Sequence, residues 1–327
     1  MAEKTMVEAV RDALCDEMRR DERVFVLGED VGGGGVFRAT DGLRDEFGED
    51  RCMDTPLAEA AIVGAAIGAS INGLLPVAEI QFADFIHPAF DQIVSEAARL
   101  HYRSNGAWSC PITVRTPYGA GIHGGPYHSQ SIEAFYAHVP GLKVICVASP
   151  YDAKGLLKSA IRDPNPVMFL EHKKAYRLFR EEVPDEDYTI PIGVAATKRE
   201  GNDMTLVTYG LMTRYSLEAA DVVEGDDGTS VEVIDLRTVS PWDKECVLES
   251  VRKTGKALIV YEDNISGGFG AEVAATIAQD AFEFLDGPVT RIASPDVPLA
   301  PYSSVLEEQI LPNPEKIADG IRKLAAF

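Results

Sequence analysis

In the stretch DTPLAEAAIVGAAIGAS, Glu59 is the one carboxylate after Asp54. The residues that follow it are small or apolar, and no further charge occurs before Glu79. Thr55 followed by Pro56 is typical of a helix start, with a capping hydroxyl and a proline at the first helical position. The sequence therefore predicts a buried helix over about 57–72. The helix dipole favours an acid in the first turn by ~0.3–1 kcal/mol, which explains most such glutamates. A buried carboxylate can also share a proton with a ligand nitrogen.

A second candidate is the segment GAGIHGGPYHSQSIEAF, which carries His123 and His128 among glycines between two predicted strands. Polar, glycine-rich loops that follow a strand are where α/β proteins place ligand sites. The spacing of the two histidines differs from that of a zinc-binding pair on a helix. An isolated surface histidine usually has no chemical role, so a functional and a purely structural interpretation are equally compatible with this pattern.

The segment AIRDPNPV combines a helix end with a turn that contains Asp163 and Asn165. Turn chemistry alone accounts for these residues. Helix ends also leave backbone carbonyls unpaired, so a cage of oxygens for a hard cation is a second interpretation. The glycine loop Gly32–Gly35 lacks the lysine and Ser/Thr of a P-loop and the spacing of a dinucleotide loop, so a phosphate site there is not favoured.

Composition limits the possible partners. The formal charge of -21 argues against nucleic acid and anionic membranes. The five cysteines are scattered without a CxxC pair, which indicates reduced thiols in a cytoplasmic protein. The first residues, MAEKTMVEAVRDAL, form a charged helical pattern without a signal-peptide core. The uncharged run 60–78 is interrupted by Asn72, Gly73 and Pro76, so we interpret it as a buried helix followed by a strand rather than a membrane span.

Strand-like and helix-like runs alternate along the chain, which predicts parallel sheets with helices on both faces. The predicted strands are 24–30, 76–82, 111–117, 142–148, 167–172, 204–210, 231–239, 256–263 and 289–294. The predicted helices after 57–72 are 90–102, 152–162, 214–224, 243–254 and 270–285. An acidic stretch without periodicity, FREEVPDEDYTIPIG, predicts a linker. The fold class is therefore α/β, with two domains at 1–180 and 195–327 joined by a linker at 181–194.

Together these segments resemble one family, the beta subunit of the thiamine-diphosphate-dependent decarboxylating component of 2-oxoacid dehydrogenase complexes. The resemblance runs from about residue 4 to the C-terminus. It is carried by LGEDV, DTPLAEAAIVG, EIQFADF, YRS, PITVRTPYG, HSQSIEAF, PGLKV, YDAKGLLKSAIRDPNPV and EVIDLRTVSPWD. The segment AEIQFADFIHPAFDQI is most similar to the branched-chain type, and the pyruvate and acetoin types are near relatives. The resemblance implies a pyrimidine-binding domain for thiamine diphosphate followed by a transketolase C-terminal-like domain.

The resemblance also implies roles for individual residues. Glu59 matches the catalytic glutamate, which hydrogen-bonds the aminopyrimidine nitrogen of the cofactor and so promotes loss of the thiazolium C2 proton. His128 matches the histidine implicated in acyl transfer to lipoate. The positions that match cofactor contacts are Glu29, Leu57, Gln81 and Phe85, the last of which is often tyrosine in the branched-chain type. The positions that match potassium ligands, mainly through backbone oxygens, are Ile112, Thr113, Ala160, Ile161, Asp163 and Asn165.

The implied activity is oxidative decarboxylation of a 2-oxoacid with reductive acylation of a lipoyl group. The family binds the diphosphate through Mg²⁺ held by a GDG motif and a later asparagine. Here GDDG (225–228) has no matching strand before it and no matching asparagine after it. The resemblance therefore implies an enzyme that is active only with an alpha subunit, which holds the Mg²⁺. The family assembly is an α2β2 heterotetramer docked on a lipoyl transacylase core.

Three alternatives are open to the sequence. One is the C-terminal half of a split transketolase, although the loop reads GGPYHSQS where a DGPTHQ-like run would be expected. A second is the beta subunit of an acetoin dehydrogenase. A third is a non-catalytic scaffold with the same fold, which the presence of both Glu59 and His128 disfavours.

Overall fold

The computed structural model describes residues 1–298 and 300–327. Contacts divide the chain into two compact units. The first contains residues 1–118 and 135–192, and the second contains 119–134 and 193–327. The segment 119–134, which carries His128, is thus grouped with the C-terminal part of the chain although it lies within the sequence of the first unit.

The first unit is built on a parallel sheet with the strand order β6-β7-β5-β4-β2-β3, and β1 pairs with β8 in a separate antiparallel ribbon. Buried aliphatic residues fill its strands, as expected of a parallel sheet that is covered on both faces. The strands are β1 (Ala2–Lys4), β2 (Val24–Gly28), β3 (Cys52–Asp54), β4 (Leu75–Glu79), β5 (Thr113–Tyr118), β6 (Lys143–Val147), β7 (Val167–His172) and β8 (Glu181–Val183).

Helices cover this sheet and begin with clear signals. Thr5 and Glu8 form a capping box that starts the first helix, and the Ser149 hydroxyl caps the sixth. A π-helical turn, Gln92–Ala97, leads into the fourth helix. The helices are α1 (Met6–Arg20), α2 (Leu43–Phe47), α3 (Glu59–Ile71), α4 (Ala98–Arg103), α5 (Glu133–Ala137) and α6 (Pro150–Ile161).

The stretch predicted as a linker packs onto the first unit. Its strand β8 pairs with β1, and the Tyr188 hydroxyl donates to the Tyr151 carbonyl at 2.8 Å while the two rings stack with centroids 4.9 Å apart. The Ile190 N–H donates to the Gly155 carbonyl at 3.2 Å. A few apolar and aromatic side chains therefore anchor the first part of the predicted linker to the first unit.

The second unit has a sheet with the order β14-β13-β10-β11-β9, parallel except for β9. Its strands are β9 (Ala196–Arg199), β10 (Met204–Thr208), β11 (Val231–Asp235), β12 (Thr238–Ser240), β13 (Ala257–Asn264) and β14 (Thr290–Ser294). Its helices are α7 (Leu211–Asp227), α8 (Lys244–Thr254), α9 (Gly270–Asp280), α10 (Ser304–Ile310) and α11 (Pro314–Ala325).

The predicted α/β class with mainly parallel sheets is confirmed. Several predicted elements differ in extent, including a strand and a helix of the second unit. The run 231–239 is two strands, β11 and β12, because Arg237, which lies between them, adopts a left-handed backbone. The helix predicted over 270–285 ends at Asp280. In the part of the chain that the structure describes, no helix is both long enough and apolar enough to cross a membrane.

Candidate active site

The start of α3 brings Glu59 into a buried position. The helix begins at Glu59 itself, after Ala58, which makes no side-chain cap. The predicted start at Thr55 and Pro56 is therefore wrong. The Thr55 N–H instead donates to the carbonyl of Gly28 at 2.9 Å, at the end of β2. This bond holds the segment before α3 in an extended form, and it delays the helix until Glu59.

A second carboxylate, Glu29, lies next to this position because it follows directly after β2. Glu29 and Glu59 are 7% and 9% exposed. Burial raises the pKa of Glu29, and the negative charges of Glu59 and Asp30 raise it further. The Glu29 Oε1 atom is buried and accepts no hydrogen bond. A buried carboxyl oxygen without a partner is costly, and it is a ready acceptor or proton-sharing group for a polar ligand atom.

Because its pKa is raised, Glu29 binds a proton more tightly in the folded chain than in the unfolded one. It therefore lowers stability as pH rises above the unfolded pKa. We expect Glu29→Gln to raise the melting temperature of the cofactor-free chain more at pH 8 than at pH 5. Thermal unfolding at both pH values tests this, with exposed Glu22→Gln as the control. An equal change at both pH values would contradict the prediction.

The remaining predicted cofactor contacts are distributed over two loops. Gln81, two residues after β4, donates from Nε2 to Asp30 Oδ2 at 3.2 Å, which brings it beside Glu29. Phe85 closes a short turn, Ala83–Phe85, and its ring meets the ring of Phe82 edge-on at 5.6 Å. The Leu57 side chain is 79% exposed. Gln81 and the two glutamates thus come together, whereas Leu57 presents an apolar surface to solvent.

The glycine loop after Asp30 is held by protein groups. The Gly32 N–H donates to Asp54 Oδ1 at 2.7 Å, and the Gly35 N–H donates to the Asp30 carbonyl at 2.9 Å. A methyl group at Gly35 would meet Glu79 Oε1 at 2.7 Å. Close packing against the end of β4 therefore requires glycine at position 35.

A buried ionic network, which the sequence alone did not predict, joins three central strands. Arg115 is 1% exposed, donates to both carboxylate oxygens of Glu171 at 2.6 and 2.7 Å, and also pairs with Glu79. The Tyr176 hydroxyl donates to Glu171 at 2.6 Å. Burial raises the pKa of Glu79 even though Arg115 opposes the shift, and burial likewise raises the pKa of Tyr176. The only sequence signal was charge within predicted buried strands.

The histidine-bearing loop belongs to the second unit. His128 is half-buried and follows a short turn, Gly125–Tyr127, with its N–H donating to the Gly125 carbonyl at 3.3 Å. Glu133, at the start of α5, is fully buried and accepts from the Tyr209 hydroxyl at 3.0 Å. Burial and the nearby charge of Asp263 raise its pKa. The loop that ends in α5 is therefore fixed to the sheet of its own unit.

The predicted potassium ligands gather at the opposite ends of β5 and β7. The Val167 N–H donates to the Ile112 carbonyl at 2.9 Å, which places the start of β5 beside the turn that follows α6. The Asn165 N–H donates to Asp163 Oδ1 at 2.9 Å, and the other Asp163 oxygen pairs with Lys143. The full predicted set is Ile112, Thr113, Ala160, Ile161, Asp163 and Asn165. Since Asp163 already has a cationic partner, a cation there would depend on backbone carbonyls.

Acidic side chains elsewhere do not assemble a metal site. Within residues 1–298 and 300–327, no group of three or more His, Cys, Asp or Glu side chains could hold a metal ion. The GDDG segment forms the end of α7, where Gly228 adopts the left-handed conformation. Asp226 and Asp227 both pair with Arg322, at 2.9 and 2.7 Å. This segment is therefore a helix end that pairs with an arginine.

Comparison with known proteins identifies the domain types of both parts of the chain. Residues 2–178 match the transketolase pyrimidine-binding domain, and residues 193–317 match the transketolase C-terminal domain. The chain is 55% identical to the 2-oxoisovalerate dehydrogenase subunit beta of Bacillus subtilis (strain 168), with 100% of each chain covered. It is 51% identical to the pyruvate dehydrogenase E1 component subunit beta of the same organism, again with 100% of each covered.

Among solved structures, a split-gene transketolase described as an inactive beta4 tetramer shares the fold. Its TM-score is 0.75, and the comparison covers 99% of each chain. The sequence identity is 23%, so this likeness concerns the fold alone.

Proposed function

The chain belongs to the family of beta subunits of the thiamine-diphosphate-dependent 2-oxoacid dehydrogenases, and from this premise we propose that it catalyses decarboxylation of a branched-chain 2-oxoacid or pyruvate with reductive acylation of a lipoyl group. The buried carboxyl pair of Glu29 and Glu59, with its unpartnered oxygen, is the observation that carries the proposal. It offers a proton-sharing group for a polar ligand atom in a site sheltered from water.

The overall reaction balances with the 2-oxoacid, the lipoyl disulfide and one proton. The bond between the oxoacid carboxylate and its carbonyl carbon breaks, and carbon dioxide leaves. The acyl group bonds to one sulfur of the lipoyl disulfide while the S–S bond breaks, and the second sulfur takes a proton. Bound thiamine diphosphate supplies a carbon nucleophile and an electron sink for the decarboxylation.

In this proposal the protein groups have separate tasks. Glu59 would share a proton with the aminopyrimidine nitrogen, and the unpartnered Oε1 of buried Glu29 would offer a second polar contact to the same ring. Gln81 and Phe85 orient the ring, and exposed Leu57 supplies an apolar surface that the cofactor covers. His128 holds the proton that the second lipoyl sulfur receives. Burial makes the polar contacts of Glu29 and Glu59 stronger than they would be in water.

We further propose that the active form is an α2β2 heterotetramer with an alpha subunit that holds Mg²⁺ and the diphosphate. The pairing of Asp226 and Asp227 with Arg322 supports the assignment of Mg²⁺ binding to the alpha subunit, because the two acids of the GDDG segment already have a cationic partner in this chain. Docking on a lipoyl transacylase core completes the complex. The free state of all five cysteines supports a reducing compartment such as the cytoplasm.

Calorimetric titration with thiamine diphosphate and Mg²⁺ tests the shared site. We expect tight binding to the mixture of this chain with its alpha subunit. Without the charged contacts to the diphosphate, worth about 1.5–3 kcal/mol each, we expect the chain alone to bind at least ~100-fold more weakly. Equally tight binding to the chain alone would show that the diphosphate site lies within it.

We also propose a structural potassium ion at the turn after α6, held mainly by backbone oxygens near Asp163 and Asn165. A cation that binds only the folded protein stabilises it by mass action. We therefore expect KCl to raise the melting temperature above that in LiCl at equal ionic strength. The same comparison for the Asp163→Ala variant provides the control. It removes the bond from the Asn165 N–H to Asp163 Oδ1 that shapes the turn, so the backbone oxygens should no longer be held for a cation and the difference should disappear. Identical melting temperatures in KCl and LiCl would contradict the proposed potassium site.

A further inference from the structure

The buried carboxylate of Glu307, on α10, contacts the loop that carries His128. Its Oε1 accepts a hydrogen bond from the Gly121 N–H at 2.9 Å, and its Oε2 lies 2.6 Å from His123 Nδ1. Glu307 is 2% exposed, so both oxygens face the loop in place of water. A desolvated carboxylate makes stronger hydrogen bonds than one in water. Glu307 therefore fixes the middle of this loop.

The loop needs such support, because its backbone is strained where Glu307 contacts it. His123 has a φ of 58°, in the left-handed region that is unfavourable for residues other than glycine. The ring of His123 is about half exposed, so packing alone does not hold it. The bond between Nδ1 and the carboxylate is the contact that offsets this strain.

Close packing transmits this conformation to His128. A methyl group on Gly124 would meet the His128 Cβ at 2.7 Å and its carbonyl oxygen at 3.0 Å. A methyl group on Gly125 would meet the ring of Tyr302 at 2.3 Å. The backbone at Gly124 and Gly125 thus packs closely against His128 and Tyr302, which couples the position of residues 121–123 to that of His128.

A second carboxylate holds the outer parts of the loop. Glu262 Oε1 accepts from the Ala120 N–H at 2.6 Å and from the Ser131 hydroxyl at 3.2 Å. These bonds join the two ends of the segment, so removing Glu307 would release its middle without detaching it from the second unit. Glu307 and Glu262 therefore hold different parts of the loop, and substituting one leaves the contacts of the other in place.

We propose that Glu307 is a positioning residue for His128, and that it acts on the acyl-transfer half of the reaction through Gly121 and His123. The inference rests on the proposed function, which assigns the proton delivered to the lipoyl sulfur to His128. Glu307 is not itself a catalytic residue, because its oxygens bond to the loop. Its loss displaces the imidazole and leaves Glu59 and Glu29 unchanged.

The experiment compares the two half-reactions in the assembled heterotetramer with its alpha subunit. Decarboxylation is followed with an artificial electron acceptor, and acylation is followed with the lipoyl domain of the transacylase, with 2-oxoisovalerate and pyruvate as substrates. We expect Glu307→Gln and Glu307→Ala to lower kcat for acylation by ~10–100-fold, the cost of misplacing a reacting group by about 1 Å. We expect decarboxylation and the KM for the oxoacid to stay close to wild type.

Glu308→Ala is the matched control, because Glu308 is the exposed neighbour on the same helix. It should leave both half-reactions unchanged. His123→Asn should lower acylation selectively, and its effect should not add to that of Glu307→Gln, because the two side chains act as one pair. If Glu307→Ala does not assemble with the alpha subunit, the activities of Glu307→Gln and His123→Asn decide the question.

The inference is overturned if both half-reactions fall in the same proportion, which is the result of a general loss of structure, or if neither falls in Glu307→Gln and His123→Asn. A different result would contradict the proposed function itself. A wild-type heterotetramer that decarboxylates neither oxoacid would overturn that function whatever the variants do.

Discussion

Substituting Glu59 by glutamine lowers the rate of 2-oxoacid decarboxylation by ~10²–10⁴-fold, the range that general acid–base groups contribute. The amide has nearly the same size and can fill the same buried position at the start of α3. It cannot take up and release a proton as the carboxyl group does. The loss should therefore fall on kcat, whereas assembly with the alpha subunit and the melting temperature change little.

Carbon dioxide release by the assembled heterotetramer measures this effect. Glu49→Gln is a suitable control, because it makes the same chemical change at an exposed position of the same unit. Undiminished carbon dioxide release by the Glu59→Gln protein would contradict the acid–base role assigned to Glu59. A large loss shared with Glu49→Gln would show that the assay responds to charge in general rather than to this site.

The second large effect concerns stability. Arg115→Leu leaves the carboxylates of Glu79 and Glu171 buried without their cation. Breaking a buried ionic network by removing one partner costs ~3–5 kcal/mol in the free energy of unfolding. The loss should be largest near neutral pH. It should shrink as the pH falls, because Glu79, whose pKa burial already raises, then takes up a proton and becomes neutral.

Urea-induced unfolding at pH 7 and pH 5.5 measures the difference. Arg103→Leu is the matched control, because Arg103 pairs with Glu96 at the surface, where both side chains are about half exposed. An exposed pair contributes ~0–1 kcal/mol. Equal destabilisation by the two substitutions would show that the buried network contributes no more than a surface pair.

Much of the fold was predictable because it depends on local patterns. The apolar run Val167–His172 is a strand over its whole predicted length. The helix predicted over 152–162 begins two residues early, where Ser149 caps it and Pro150 takes the first position. Such boundaries are set by neighbouring residues in the chain, which sequence analysis can examine directly.

The start of α3 shows where local patterns are insufficient. Thr55 and Pro56 have the composition of a helix start, yet the Thr55 N–H bonds to Gly28, 27 residues earlier in the chain. That contact depends on the parallel pairing of β2 with β3, which places the ends of both strands at one edge. The burial of Glu59 was inferred correctly, while the reason for its position was tertiary.

The sequence by itself determined the alternation of strands and helices, the family, and the identity of the acids and histidines at the candidate site. The tertiary structure decided which of these residues act on each other. Arg115 and Glu171 are 56 residues apart, and Gly121 and Glu307 are 186 apart. Periodicity and capping signals extend over a few residues only, whereas burial, desolvation and charge pairing arise when distant segments meet. The anchoring of the His128 loop by Glu307 therefore became visible only in the folded chain.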